Sequence, residues 1–498
     1  MPRQLEKGEE PKFPRPTGPW KGRVAFAPDR PFAYRPRQVV CIGDQARGAA
    51  EDLISRSKGG ETSSKLIFGE NFVVEGSSDF DVLDVVAKLR VNGLRTEPNY
   101  VFFLHGACGC QSAACCCAGG AGLNPFTPNP FTPNPFTPNP FTPNPFTPNP
   151  FTPNPFTPNG VVAAPFTPNP FTPNPFTPNN FATSGVRSSS ALPADPPNHP
   201  TSITLPEPKL DDDDVDPDMV HVWIYDTGVS INDHLPPLLT NRKQLEQAHE
   251  TDRDRPDEPN LKEGIPKDEL LDPVAGHGSF IAGIFEQLVP GRDVNVSSIF
   301  STFGDTDMTT ITARMEEDLG GIDKYTGCRT VVNLSFGAYA DQEMYLLAEA
   351  VLKVQEQGVT VVASAGNDSV SWPSFPAALP GVIGVASVDE CGRAPYSNYG
   401  DWVTACAPGS AVVSSFFHSF NGKRDPIPGA DPVDPDKFDG WAKWSGTSFA
   451  APLVAAALVR HMTLHKTTGP NAVKAIITAP GLLQLPGLGT VVNMTPGM

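Results

Sequence analysis

The chain has 498 residues, enough for one large enzyme domain with appendages or for two to three ordinary domains. Lys and Arg number 37 against 55 Asp and Glu, a formal charge of -18, and no basic stripe occurs, which argues against nucleic acid or anionic membrane as the main partner. The first residues run through charges and prolines without the apolar core of a secretory signal, and no stretch approaches the roughly 20 apolar residues that span a bilayer. A cytoplasmic protein is therefore expected, with export by an unconventional route as the alternative.

Residues 1–36 are rich in Pro, Arg and Lys without periodicity and are expected to be poorly ordered. From 37 to 106 the text becomes globular. Segments 38–42 and 71–75 read as strands, 81–90 has apolar residues at helical spacing and is closed by Gly93, and a last strand covers 100–104. Strands and a helix within so short a span predict a small α+β module of the split βαβ type, only just able to bury its own core.

Residues 107–219 show no globular pattern. Cys108, Cys110, Cys115, Cys116 and Cys117 crowd into a Gly/Ala-rich stretch, and no second spaced Cys pair or His pair completes a tetrahedral site. A flexible segment without defined chemistry is expected there, ahead of metal binding or lipid modification. Cys41, Cys328, Cys391 and Cys406 lie in apolar runs and read as small buried residues.

The pentapeptide Pro-Phe-Thr-Pro-Asn then repeats, with Phe at 126, 131, 136, 141, 146, 151 and 156, and again at 166, 171 and 176. Its prolines remove backbone donors and bar the α region from the preceding residues, so an extended, partly polyproline chain follows. The repeat reads as a semi-rigid spacer, with a multivalent ligand for an aromatic-lined partner groove and a cleavage substrate as the other readings. Asp211 to Asp214 form a solvated acidic linker rather than a calcium loop, because alternating ligands and a turn glycine are missing.

The region 220–490 alternates dense apolar runs of strand length, at 220–225, 330–335, 359–365 and 382–386, with helical stretches such as 342–354, closed by Gly358. That alternation predicts a mostly parallel, doubly wound sheet with helices on both faces and a site outside the carboxyl ends of the strands.

Three motifs place chemistry on this frame. Asp226 ends the first apolar run in Ile224-Tyr225-Asp226-Thr227-Gly228; His277 lies between Gly276 and Gly278 at the start of an apolar helix; Ser448 opens another in Ser445-Gly446-Thr447-Ser448-Phe449-Ala450-Ala451-Pro452. An acid that orients an imidazole, and an imidazole that takes a hydroxyl proton, make an acylating nucleophile. Ser448 has its own N–H turned toward a developing oxyanion, with Thr447 or Ser448 available as the helix cap. Asn367, in Ala365-Gly366-Asn367-Asp368 after a buried strand, is either a simple turn residue or a second oxyanion donor.

The order Asp, His, Ser and these flanks resemble the motifs of subtilisin-like serine proteases. The resemblance also takes in Asn333-Leu334-Ser335-Phe336-Gly337, Tyr396-Ser397-Asn398-Tyr399-Gly400 and Ala407-Pro408-Gly409, and so spans most of 220–480. It implies a serine endopeptidase acting on protein or peptide substrates, with catalytic Asp226, His277 and Ser448, an oxyanion hole at Asn367, and Ser335, Phe336 and Gly337 binding an extended peptide. It further implies that 37–106, whose end Gly93-Leu94-Arg95-Thr96-Glu97-Pro98-Asn99-Tyr100 looks like that of a propeptide, is an intramolecular chaperone and inhibitor whose tail reaches the cleft. No cofactor is expected; structural calcium is common in that family, but no ligand set is legible. The alternatives are a processing peptidase dedicated to one partner, and a scaffold that uses the repeat while its protease domain is inert or capped.

Overall fold

The computed structural model describes residues 22–27, 32–104, 192–193, 219–230, 274–300, 304–341, 344–389, 392–417, 420–421 and 437–492. The Cys108–117 cluster, the pentapeptide repeat, Asp211 to Asp214 and Cys391 lie outside the described residues.

The large sheet runs in the order Gln484–Leu485, Gly489–Val491, Ala405–Pro408, Ile383–Asp389, Thr360–Ser364, Thr330–Leu334, His221–Asp226, Asp293–Ser298. All neighbours from Gly489–Val491 to Asp293–Ser298 pair in parallel. Parallel strands covered on both faces need buried side chains on both, which is why every residue of Thr330–Leu334 and Thr360–Ser364 is buried. The pleat divides them: Val222, Ile224, Val331 and Val362 face one core, while Tyr225, Val332, Val361 and Ala363 face the other. The helices His277–Leu288 and Thr447–His465 fill the first core, and Met308–Leu319 and Tyr345–Glu356 fill the second.

Thr447–His465 is long and apolar enough by composition to cross a membrane, but it is apolar on all sides because it is the buried central helix, packed against four sheet strands. The expectation that no such stretch exists is corrected to that extent.

Residues 33–104 form the second layer system. Four antiparallel strands, in the order Thr96–Leu104, Ala33–Ile42, Asn71–Gly76, Thr62–Phe68, carry the helices Asp44–Arg56 and Val82–Val91 on one face. This is a split βαβ arrangement. Val39, Cys41, Ala50, Ile54, Val74, Val85, Val86 and Leu89 make its core. Asp81 caps Val82–Val91 by accepting the Asp84 N–H at 3.0 Å.

Several expectations change. Order begins before residue 37: Ala25–Phe26 pairs with Ala33 and Tyr34, and Val24, Ala27 and Phe32 are buried in the core shared with the large-sheet layer. Those apolar residues are hidden among Pro and Arg and find their partners only in the tertiary fold. Asp44–Arg56 and Thr62–Phe68 were not foreseen, since the helix buries only Ala46, Ala50 and Ile54 and the strand is an exposed edge. Leu192–Pro193, inside the expected linker, pairs antiparallel with Trp441–Trp444. The helix expected over 342–354 is Tyr345–Glu356.

The face of the small module opposite its helices rests on the N-terminal ends of Met308–Leu319 and Tyr345–Glu356. Glu97 accepts the backbone N–H groups of Tyr345 (3.0 Å) and Leu346 (2.9 Å), and Asn99 Oδ1 accepts that of Thr309 (3.3 Å). Each module side chain thus satisfies helix-end donors that the helix itself leaves open. Arg35 bridges Asp305 and Asp307, both at 2.9 Å, while Arg90 and the Tyr100 hydroxyl meet Asp341.

Candidate active site

Asp226 ends its strand at the carboxyl edge of the sheet, fully buried, with Oδ1 accepting the Thr227 N–H at 2.8 Å. His277 is the first residue of its helix, also fully buried, and its Nδ1 lies 2.8 and 2.9 Å from the two Asp226 carboxylate oxygens. The two loops touch through Gly278, whose N–H donates to Thr227 Oγ1 at 2.9 Å. A Cβ on Gly278 would stand 2.1 Å from the Gly228 carbonyl oxygen, so only glycine allows His277 to approach this closely.

The imidazole is flanked by Trp444 and Phe449, with ring centres at 5.4 and 5.3 Å. These residues bracket Ser448, which is the second residue of the central helix and fully buried. Its hydroxyl donates to the Ser335 carbonyl at 2.9 Å, whereas His277 Nε2 is buried without a hydrogen-bond partner among the described residues. The structure therefore gathers the three residues but turns the serine hydroxyl onto Ser335, not onto His277 as the triad reading expects. The interaction is reciprocal: Ser335 Oγ donates to the Ser448 carbonyl at 2.8 Å. Pro452, four residues on, has no N–H to occupy that carbonyl, so the helix proline creates the acceptor that Ser335 uses.

Asn367 Oδ1 accepts both the N–H and the hydroxyl of Thr447, at 2.9 and 2.8 Å. Thr447 Oγ1 in turn accepts the Gly366 N–H at 3.1 Å. Neither Thr447 nor Ser448 caps the helix with its side chain, as the sequence had allowed; Gly446 holds the cap position. Thr447 instead orients the amide, so that its Nδ2 end is the donor turned away from Thr447. Asn367→Ala is expected to lower kcat about 100- to 1000-fold, the size found for such a donor in a subtilisin, with KM little changed in a peptide hydrolysis assay. Thr447→Val, which keeps the shape and loses one contact to Oδ1, is expected to cost about tenfold by the same readout.

Ser335, Phe336 and Gly337 extend the strand Thr330–Leu334. Phe336–Gly337 pairs antiparallel with the module's last strand, Leu104 opposite Phe336 and Phe103 opposite Gly337. Asp305–Asp307 pairs with Val101, Phe102 and Phe103 on the other side. The tail of the small module is thus the middle strand of three, with Phe102 packed edge-on against Phe336 at 5.9 Å. Asp305–Asp307 was missed by sequence reasoning, and an Asp-Thr-Asp triplet carries no strand signal; it is extended only because the tail pairs with it. Among the described residues no group of three or more His, Cys, Asp or Glu is placed to hold a metal ion.

A parallel sheet whose carboxyl rim presents a buried Asp–His pair, a helix-borne serine and an oriented amide has the layout of a serine hydrolase. The sequence model of the subtilase family, peptidase S8, matches residues 218–480, and the chain belongs to that family. It is 30% identical over 193 residues to the minor extracellular protease Epr of Bacillus subtilis (strain 168), covering 36% of this chain and 25% of that protein. A subtilisin-like protease of Coccidioides posadasii (strain C735) is 30% identical over 224 residues, 43% of this chain and 50% of its own length. The chain thus spans between a quarter and a half of these relatives. Fervidolysin from Fervidobacterium pennivorans, a keratinolytic enzyme related to subtilisin, shares the fold, with a TM-score of 0.50 and 16% identity over 99% of this chain and 65% of that one.

Proposed function

We propose that this subtilase is a serine endopeptidase working through an acyl-enzyme, and that residues 22–104 are its built-in inhibitor. The supporting observation is the tail: Val101 to Leu104 lie as a peptide between Asp305–Asp307 and Phe336–Gly337, running toward the buried Asp226–His277 pair and Ser448.

A substrate strand takes the place of this tail by β-addition, its backbone groups reading none of its sequence. Ser335 is the next residue along the receiving edge, and its carbonyl is the group that holds the Ser448 hydroxyl. A peptide N–H that captures this carbonyl frees the hydroxyl to turn to His277 Nε2. His277 then takes the proton as Ser448 attacks, and Asp226, bound to Nδ1, stabilises the imidazolium. The tetrahedral oxyanion is met by Asn367 Nδ2 and the Ser448 N–H at the positive end of the helix. His277 returns the proton to the leaving amine, and water repeats the sequence on the acyl-enzyme.

The test is mass spectrometry of the purified full chain over time beside Ser448→Ala, with a fluorophosphonate probe added to both. Labelling and cleavage between 105 and 219 in the wild type alone are the expected results. A wild type that neither labels nor cuts favours the capped scaffold, whose working part is the repeat.

A further inference from the structure

The central helix Thr447–His465 is buried along most of its length, but its last turns change character: His461 is half-buried and Leu464 and His465 are exposed, while Met462 stays inside. His461 and His465 are four positions apart, the spacing that sets two side chains one above the other on a single helix face. Their ring centres are 4.3 Å apart, with the planes at 39° to one another. Neither ring has a hydrogen bond or an ion pair among the described residues, whereas His221 meets Asp293 at 2.6 Å and His277 meets Asp226. The pair is thus two stacked imidazoles whose ring nitrogens are not committed to any neighbouring acid.

Two imidazoles that share one ion are spaced by the angle at the ion. With a metal–nitrogen bond of about 2.0–2.1 Å each ring centre lies roughly 3.2 Å from the metal, so a right angle separates the centres by about 4.5 Å and a tetrahedral angle by about 5.2 Å. The observed 4.3 Å fits the right angle. The last torsion of a histidine is broad, so each ring can turn one nitrogen toward a common point at little cost. The place also favours a cation, because the helix ends at His465 and its unpaired carbonyls there carry a negative partial charge that works against repulsion from Arg460 and Lys466. Two protein donors are too few for a structural zinc, which almost always takes four, and suffice for an ion that keeps water in its other positions.

We propose that His461 and His465 chelate one divalent ion of right-angled geometry, nickel(II) or copper(II), which clamps the last turn of the helix that carries Ser448. Ser448 stands near the other end of that helix, about 25 Å away at 1.5 Å per residue, so the ion acts on stability and takes no part in the chemistry. An ion bound by the folded helix and not by the separated side chains of the unfolded chain stabilises the fold by mass action.

The experiment uses the full chain carrying Ser448→Ala, so that self-cleavage does not intervene, titrated with nickel chloride by calorimetry and unfolded by heat with and without the metal. His461→Asn and His465→Asn, each added to this chain, are expected to bind one nickel ion fewer than it does. At about a hundred times its dissociation constant, nickel is expected to raise the Tm of the parent by about 5 °C more than that of either variant. Ions held by cysteines are common to all three chains and cancel in the comparison. A further chain with His465→Asn and Thr463→His keeps the number of histidines but moves one ring to another face of the helix, and it is expected to behave like the single variants. His465 is exposed, so its replacement leaves the fold intact and the comparison decisive even where His461→Asn does not fold. Equal nickel uptake by the parent and the His465→Asn chain, or retention of the ion by the chain with the displaced histidine, overturns the inference and leaves the two rings a stacked contact.

Discussion

Between pH 4.5 and 7 the grip of the small module on the cleft is expected to weaken by about two orders of magnitude as Glu97 loses its proton. Glu97 is fully buried under the module, and burial pushes its carboxyl up to about 7. The Leu346 and Tyr345 N–H groups and Arg90 pull the other way, and Asp341 adds to the rise. When the module lifts off, Glu97 meets water and returns toward 4.5. The docked state therefore binds the proton more tightly than the released state. Docking gains its full benefit from Glu97 below pH 4.5, and that benefit is gone above about pH 7.

Asp307 sets the lower limit with the opposite sign. Burial alone would raise it, but the Arg35 guanidinium and the hydrogen bonds from Thr309 and Thr310 hold it below its ordinary range; of these only the Arg35 contact comes from the module, so protonation of Asp307 in stronger acid weakens docking through that contact. The rate at which fluorophosphonate labels Ser448, taken as the ratio of wild type to Glu97→Gln at each pH, isolates the Glu97 contribution, because every other group is common to both. The ratio should climb through the window from pH 4.5 to 7. A flat ratio assigns the pH response to another group.

Asp226→Asn is expected to lower kcat about 10,000-fold while leaving thermal stability and KM nearly intact. The Thr227 N–H already donates to Oδ1, so an asparagine keeps its oxygen there and turns its NH2 toward His277 Nδ1. Nδ1 must then accept, which places the ring proton on Nε2, the atom that has to receive the proton of Ser448. Ser448→Ala and His277→Ala should each cost still more, about a millionfold, and the double variant no more than either alone, since the residues act as one unit. A variant Asp226→Asn retaining more than a tenth of wild-type kcat rules out this assignment.

Much of the site was legible because each member is announced by its own neighbours. Asp226 ends a dense apolar run, His277 lies between glycines at a helix start, and Ser448 lies at the start of a long, almost wholly buried helix. The partners of these residues were not legible. Thr447 reads as a cap and instead steers Asn367, and Ser448 reads as a donor to His277 and instead donates to the Ser335 carbonyl, while its own carbonyl, left open by Pro452, accepts from Ser335 Oγ. Likewise the start of Tyr345–Glu356 was misplaced because its first donors are satisfied by Glu97, 248 and 249 residues away in sequence.

The sequence by itself determined the periodicity of the sheet and its helices, the turn glycines, and the three stretches that carry Asp226, His277 and Ser448. All of these depend on residues within about ten positions of one another, where sterics and hydrophobic spacing leave few choices. Only the tertiary structure decided that the small module's tail becomes the strand between Asp305–Asp307 and Phe336–Gly337, that Glu97 closes a helix of the other layer, and that the Ser448 hydroxyl rests on Ser335. Those outcomes depend on which polar groups meet after the two layers pack, and no local pattern encodes the partner of a donor more than two hundred residues away.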